Sequence, residues 1–229
     1  MTPAPAPAPA QRELTFLLAE PERRLLRALA ARLPMWIRSN HLTVLGVLGA
    51  AGAGTAYALS VYGPAWLWAA SALLVVNWFG DSLDGTLARV RGTERPRYGY
   101  YLDHIVDAFS TAAIGIGIGL SPYVDLGIAL GMVVVYLVLS INVYLESAVF
   151  GVFRLAYSRL GPTEVRIILI AANTMLALGK EVPGSFWPAP RLLANWVLAL
   201  LAVGMLGMLV ARFAKNLYEL ARQEPQRRS

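Results

Sequence analysis

Apolar residues in this chain come in long runs rather than in alternation. Six runs stand out, near residues 41–61, 64–88, 100–121, 124–148, 164–179 and 191–213. Each approaches the length of about 20 residues that a helix needs to cross hydrocarbon, the fifth being the shortest. Turn residues separate them at Tyr62-Gly63-Pro64, Ser121-Pro122, Gly161-Pro162 and Val182-Pro183-Gly184. The pattern predicts an all-α, polytopic membrane protein with six transmembrane helices. A different period precedes them. Between 20 and 33, Leu25, Leu26, Leu29 and Leu33 recur at helical spacing beside Arg23, Arg24, Arg27 and Arg32. This predicts an amphipathic helix lying in the membrane interface, with packing on its own protein as the alternative. The expected organisation is a disordered Pro/Ala tail over 1–12, a juxtamembrane amphipathic helix within 13–38, a six-helix domain over 39–215 and a basic cytoplasmic tail over 216–229. Residues 1–10 lack the basic start and apolar core of a signal peptide.

Composition narrows the class further. Hydrophobic residues make up 57% of the chain and charged ones only 15%, where a soluble domain carries about 25% charged residues. The absence of cysteine excludes a disulfide framework and a thiolate metal site. The net charge of +6 comes from arginines that flank apolar runs. That placement points to membrane topology and anionic headgroups, not to nucleic acid. With the N-terminus inside, one side holds the N-terminal Arg cluster, Arg89, Arg91, Arg95, Arg97, Arg154, Arg159, Arg166 and the basic tail, while Lys180 and Arg191 fall on the other. Both termini are therefore expected in the cytoplasm of a cell (inner) membrane protein, which requires an even number of spans. Trp66, Trp68, Trp187 and Trp196 then form an outer aromatic belt.

Against this apolar background, Asp81, Asp84, Asp103 and Asp107 are conspicuous. Carboxylates beside hydrocarbon are costly and call for a common partner. Divalent cations are the natural one, since they bind oxygen ligands and neutralise clustered acids. Asp81 and Asp84 are three apart, and Asp103 and Asp107 four apart, so each pair shares a helix face. The topology puts the first pair at the inner end of the second span and the other at the inner start of the third. Antiparallel neighbours joined by a short loop bring these ends together. Gly85, Ala88 and Gly99 leave room for a ligand near the backbone, and Arg89 adds a positive charge. A metal cluster beside such a groove suits a diphosphate-linked nucleotide. A cation-binding transporter is the remote alternative. Transport sites, however, usually lie near the bilayer midplane at broken helices.

The string Asp81-x2-Asp84-Gly85-x2-Ala88-Arg89-x9-Gly99-x3-Asp103-x3-Asp107 resembles the signature of the CDP-alcohol phosphotransferases, and Ser39-Asn40-His41-Leu42-Thr43 resembles the family's motif at the start of its first span. The resemblance covers roughly residues 35–215. It implies an enzyme of phospholipid biosynthesis that transfers a phosphatidyl or phospho-alcohol group from a CDP-linked donor to an acceptor hydroxyl and releases CMP. It implies two divalent cations, Mg2+ first and Mn2+ as an alternative, held by Asp81, Asp84, Asp103 and Asp107, with Asp107 also the general base. Asn40, Thr43, Gly85, Ala88, Arg89 and Gly99 would line the CDP site. A homodimer is also implied.

The acceptor is less legible. Arg154, Arg159, Glu164 and Arg166, with Glu146, read either as an acceptor pocket or as a positive-inside anchor with local ion pairs. The Arg cluster favours CDP-diacylglycerol as donor and a polar, possibly phosphorylated acceptor. Gly161-Pro162-Thr163-Glu164 and the Asp103-His104 pair resemble the choline/ethanolamine branch, which passes an amino-alcohol headgroup to diacylglycerol. His104 itself reads as a packing or hydrogen-bonding histidine, with a substrate-positioning role as the alternative. Gly115-x-Gly117-x-Gly119 sits inside an apolar run, follows no strand and is read as close helix packing, not a dinucleotide loop. Gly46, Ala50 and Gly54 are read the same way.

Overall fold

The computed structural model describes residues 18–150, 161–179 and 190–224, which form seven helices and no strand. They are α1 (Ala19–Arg32), α2 (Ser39–Leu59), α3 (Trp66–Arg91), α4 (Pro96–Leu120), α5 (Leu126–Phe150), α6 (Pro162–Leu178) and α7 (Pro190–Gln223). All six expected apolar helices are present, with ends displaced by a few residues. The larger difference is at the C-terminus, where α7 runs on to Gln223 and the expected tail from 216 begins inside it. Arg154, Arg159, Lys180 and Trp187 lie outside the described residues.

Three helical segments are long and apolar enough to cross a membrane by length and composition: Ser39–Tyr62, Leu126–Phe150 and Arg191–Gln223. α3 and α4 have the length, at 26 and 25 residues, but carry the aspartates. α6 has 17 residues. The chain is an integral membrane protein with exposed apolar helix faces.

The bundle is built around α2, which packs against both α3 and α4. Glycine allows this. A Cβ at Gly49 would lie 2.6 Å from the Asn77 amide nitrogen of α3, and one at Gly46 3.1 Å from that of Asp81. On the far side, a Cβ at Gly54 would collide with the backbone of Ala113, and one at Gly117 with that of Gly54. The Gly115/Gly117/Gly119 run divides between two neighbours. Gly117 faces α2, while Gly115 meets Val133 and Gly119 meets Leu126 and Ala129 around α5. Both small-residue stripes thus serve close helix packing, with direct backbone approach at Gly46, Gly49, Gly54 and Gly117. Ala53, Ala56, Tyr57, Leu67, Ala70 and Leu74 fill the adjoining core between α2 and α3.

α1 spends part of its apolar face on the protein itself. Leu26 and Ala30 are buried with Leu42, Leu83 and Leu87, while Leu25 stays exposed. Arg91 holds the end of α1, donating to the carbonyls of Leu33 (2.8 Å), Pro34 (3.0 Å) and Ile37. α3 stops at Gly92, whose φ of +63° favours glycine. The Thr93 amide closes the end by donating to Ala88 O at 3.0 Å and the Gly92 amide by donating to Arg89 O at 3.2 Å. This tight stop and Pro96 in the first turn of α4 turn the chain back within a few residues.

Candidate functional site

The reversal between α3 and α4 brings the four aspartates to neighbouring ends of the two helices. Asp81 and Asp107 are in hydrogen-bonding reach of each other, and Asp103 is close enough for its charge to act on both Asp81 and Asp84. Asp103, His104 and Asp107 each offer a ligand atom, all within 4.8 Å of one another. A carboxylate-dominated group of this kind matches the oxygen preference of Mg2+ and Mn2+. The residues therefore fit a divalent metal site.

Each aspartate has a distinct setting. Asp84 is turned toward α2: its Oδ2 accepts from Thr43 Oγ1 at 2.5 Å, and its Oδ1 accepts from the Gly85 amide. Ser39 Oγ reinforces the junction by donating to Asp84 O at 2.8 Å. The start of α2 and the end of the acidic stretch of α3 are thereby joined. Asp81 instead meets α6, where Arg166 Nη2 donates to its Oδ2 at 2.7 Å. Around Asp107, α5 contributes Tyr136 and Tyr144, both near enough for its charge to act on their hydroxyls.

His104 lies nearer the cluster than its position one step around the helix from Asp103 suggested. Its Nδ1 is 3.6 Å from Asp103 Oδ2. Its ring is nonetheless held by aromatics, stacked on Tyr144 at 4.2 Å and tilted against Tyr100 at 4.1 Å. The ring thus packs between two tyrosines while its nitrogens stay beside the acidic group.

The residues expected around the nucleotide gather at the same end of the bundle. Asn40 Nδ2 donates to the Tyr98 hydroxyl at 3.3 Å, and Arg95 Nη2 donates to Asn40 Oδ1 at 3.4 Å. Arg95 also lies over the Tyr98 ring at 3.8 Å. Arg89 donates to Thr86 Oγ1 at 3.0 Å and passes along Gly85, where an added Cβ would sit 3.4 Å from its guanidinium. Ala88 is half-buried beside it. Gly99 faces open space.

The residues expected to hold the acceptor separate into different roles. Glu164 is 7% exposed, and backbone amides occupy both its oxygens: Gly161 N at 2.9 Å closes the first turn of α6, and Leu18 N at 2.9 Å ties in the start of α1. Glu146 pairs with Arg212 on α7 and also accepts from Asn142 and Asn216, each at 2.6 Å. It joins α5 to α7. Among the described members of the group, Arg166 reaches the aspartates, through Asp81.

Other contributors were not singled out from sequence. Glu22 of α1 accepts from Trp78 Nε1 at 2.7 Å, Ser82 Oγ at 3.3 Å and Thr163 Oγ1 at 2.7 Å, tying α1 to α3 and α6. Asn77 is buried one turn before Asp81. Asn77 did carry a signal, an amide in the middle of an apolar run.

An all-α membrane bundle whose helix ends gather four carboxylates defines the class, and comparison with known proteins agrees. The family model for CDP-alcohol phosphatidyltransferase matches residues 36–206, and the chain belongs to that family. Phosphatidylinositol phosphate synthase of Cutibacterium acnes is 37% identical over 84 residues, a stretch covering 37% of this chain and 38% of that protein. The match thus spans well under half of the relative's length. The crystal structure of Mycobacterium tuberculosis phosphatidylinositol phosphate synthase with CDP-DAG bound superposes with a TM-score of 0.60. It covers 84% of this chain and 92% of that one at 23% identity, a likeness of fold.

Proposed function

We propose that this protein transfers the phosphatidyl group of CDP-diacylglycerol to the hydroxyl of a polar, phosphorylated alcohol and releases CMP. The observation that carries this reading is the meeting of Asp81, Asp103 and Asp107 with Arg166 at one end of the bundle. In this reading α2 to α7 are six spans, both termini are cytoplasmic, and the site opens at the cytoplasmic edge. A membrane domain running from 39 to the end of α7 and a homodimeric assembly belong to the same proposal.

Asp81, Asp84, Asp103 and Asp107 would hold two Mg2+ ions. When bound, these ions neutralise the donor's diphosphate and the negative charge that builds up as CMP leaves. Asp107 takes the proton from the acceptor hydroxyl, because an alcohol is a weak nucleophile until a base removes it. The freed oxygen forms the new bond to the phosphorus that carries diacylglycerol. The bond from that phosphorus to the bridging oxygen breaks, and CMP departs with the electron pair. Thr43 steadies Asp84 through its 2.5 Å hydrogen bond. Asn40, Gly85, Ala88, Arg89 and Gly99 line the place for the nucleotide. Arg166, together with Arg154 and Arg159, supplies the positive charge that a phosphorylated acceptor needs.

The names of both relatives support an inositol phosphate acceptor. The two signals for the amino-alcohol branch have structural accounts, since Glu164 caps α6 and His104 packs between tyrosines. The test is CMP release by purified protein with Mg2+ and CDP-diacylglycerol against inositol phosphate, glycerol phosphate and free polyols, with CDP-amino alcohols plus diacylglycerol as the opposing arm. Turnover in the opposing arm alone overturns the acceptor assignment. No turnover with any CDP-linked donor overturns the reaction.

A further inference from the structure

Asn77 is 1% exposed, and both ends of its amide are engaged. Nδ2 donates to Gly46 O of α2 at 2.9 Å, and Oδ1 accepts from Arg166 Nε of α6 at 2.9 Å. Arg166 then donates from Nη2 to Asp81 Oδ2 at 2.7 Å. Asn77 and Asp81 are one turn apart on α3, so the guanidinium spans that turn and is gripped at both ends. Neither charged side chain is far from the protein interior, with Arg166 13% and Asp81 17% exposed.

The sequence of bonds has a direction. The close approach of α2 at Gly46 and Gly49 lets the Asn77 amide reach a helix carbonyl, which only its NH2 end can use. Its oxygen is thereby aimed at α6. That oxygen fixes Arg166 at Nε, and the planar guanidinium leaves Nη2 pointing at Asp81. A carboxylate held on one oxygen by a fixed donor has lost most of its freedom to rotate.

We infer that Asn77 is a positioning residue of the metal site: acting through Arg166, it sets the direction in which Asp81 presents its carboxylate to a divalent cation. This inference rests on the metal reading above. Groups that orient a ligand side chain without touching the metal typically account for 10–100-fold in affinity. A purely structural asparagine, serving only as a strut between α2 and α3, would not have that effect.

The experiment measures Mn2+ uptake by the full-length protein in detergent, from loss of the free-ion paramagnetic resonance signal. Three variants separate the roles. Asn77→Leu removes both bonds and is expected to weaken Mn2+ binding by about tenfold or more. Arg166→Lys keeps the charge but loses the two-point grip, and is expected to fall with Asn77→Leu. The Asn77→Leu/Arg166→Lys double variant is expected to bind no more weakly than the weaker single variant, because both residues act through one chain of bonds. The inference is overturned if Asn77→Leu binds as wild type does, or if the two losses add in full in the double variant. Should Asn77→Leu fail to fold, wild-type binding by Arg166→Lys overturns it equally. No Mn2+ uptake by the wild type would instead bring down the metal reading and this inference with it.

Discussion

Replacing Gly80 by alanine tests whether the α2–α3 contact sets the geometry of the acidic site. Gly80 immediately precedes Asp81 and faces α2. A Cβ there would lie 2.5 Å from Leu42 O and 2.7 Å from Gly46 Cα, and it would also strike the Gly46 amide nitrogen. Comfortable carbon contacts need about 3.5–4.0 Å, so the helices must part by about 1 Å. The obstructing atoms belong to helix backbone and cannot swing aside. Overpacking of this kind costs about 1–3 kcal/mol. The displacement falls beside Asp81 and one turn from Asp84, and a misplacement of about 1 Å costs on the order of 10²-fold in rate. Gly80→Ala is therefore expected to lower thermal stability in detergent by that energy and to slow CMP release by that factor. Gly131→Ala, inside α5, is the matched control, because nothing lies within 4 Å of its added Cβ. It should keep full activity and gain up to about 0.5–1 kcal/mol of helix stability. If the two variants unfold and turn over alike, the close contact at Gly80 does not govern the site.

Further outcomes follow from other contacts. Glu22→Ala leaves the Trp78 indole N–H and the Thr163 hydroxyl without their acceptor. It is expected to cost about 1–3 kcal/mol and to speed proteolysis within α1, read by a timed protease digest. Glu146→Ala removes the carboxylate that pairs with Arg212 and accepts from Asn142 and Asn216, and is expected to cost about 1–3 kcal/mol in thermal unfolding. An unchanged unfolding midpoint would show that this cluster does not hold α5 to α7. Asp107→Asn is expected to slow CMP release by about 10²–10⁴-fold while leaving the unfolding midpoint near that of wild type. Unchanged turnover would remove Asp107 as the base.

The parts of the architecture that depend on one helix at a time were legible in the sequence. Apolar runs located α2 to α7, and the spacing of Asp81, Asp84, Asp103 and Asp107 placed each pair on one face. The small-residue stripes were read correctly as packing, because only backbone contact needs so many glycines in sequence register. Partnerships between distant helices were not legible. Arg166 and Asp81 are far apart in the chain, and no local period marks Arg166 as the cation that reaches Asp81. Glu164 is the instructive case. Its motif looked like chemistry, but the start of α6 has amide donors that need an acceptor, and backbone amides occupy both its oxygens. Glu22 and the burial of Leu26 and Ala30 were hidden for another reason. An amphipathic helix has the same pattern whether its apolar face meets lipid or protein.

The division of Gly115, Gly117 and Gly119 between two neighbouring helices has a mechanical meaning. Gly117 lies against the Gly54 backbone of α2, while Gly115 and Gly119 lie against Val133, Leu126 and Ala129 around α5, so close contacts on two sides resist rolling of α4 about its own axis. Gly117 is ten residues from Asp107, about 15 Å along the helix. A stiff rod clamped at one end keeps its heading at the other. Glycines deep in the bundle thus help to set the azimuth of Asp103 and Asp107, at a distance from the Gly92–Arg95 turn that joins the two acidic helices.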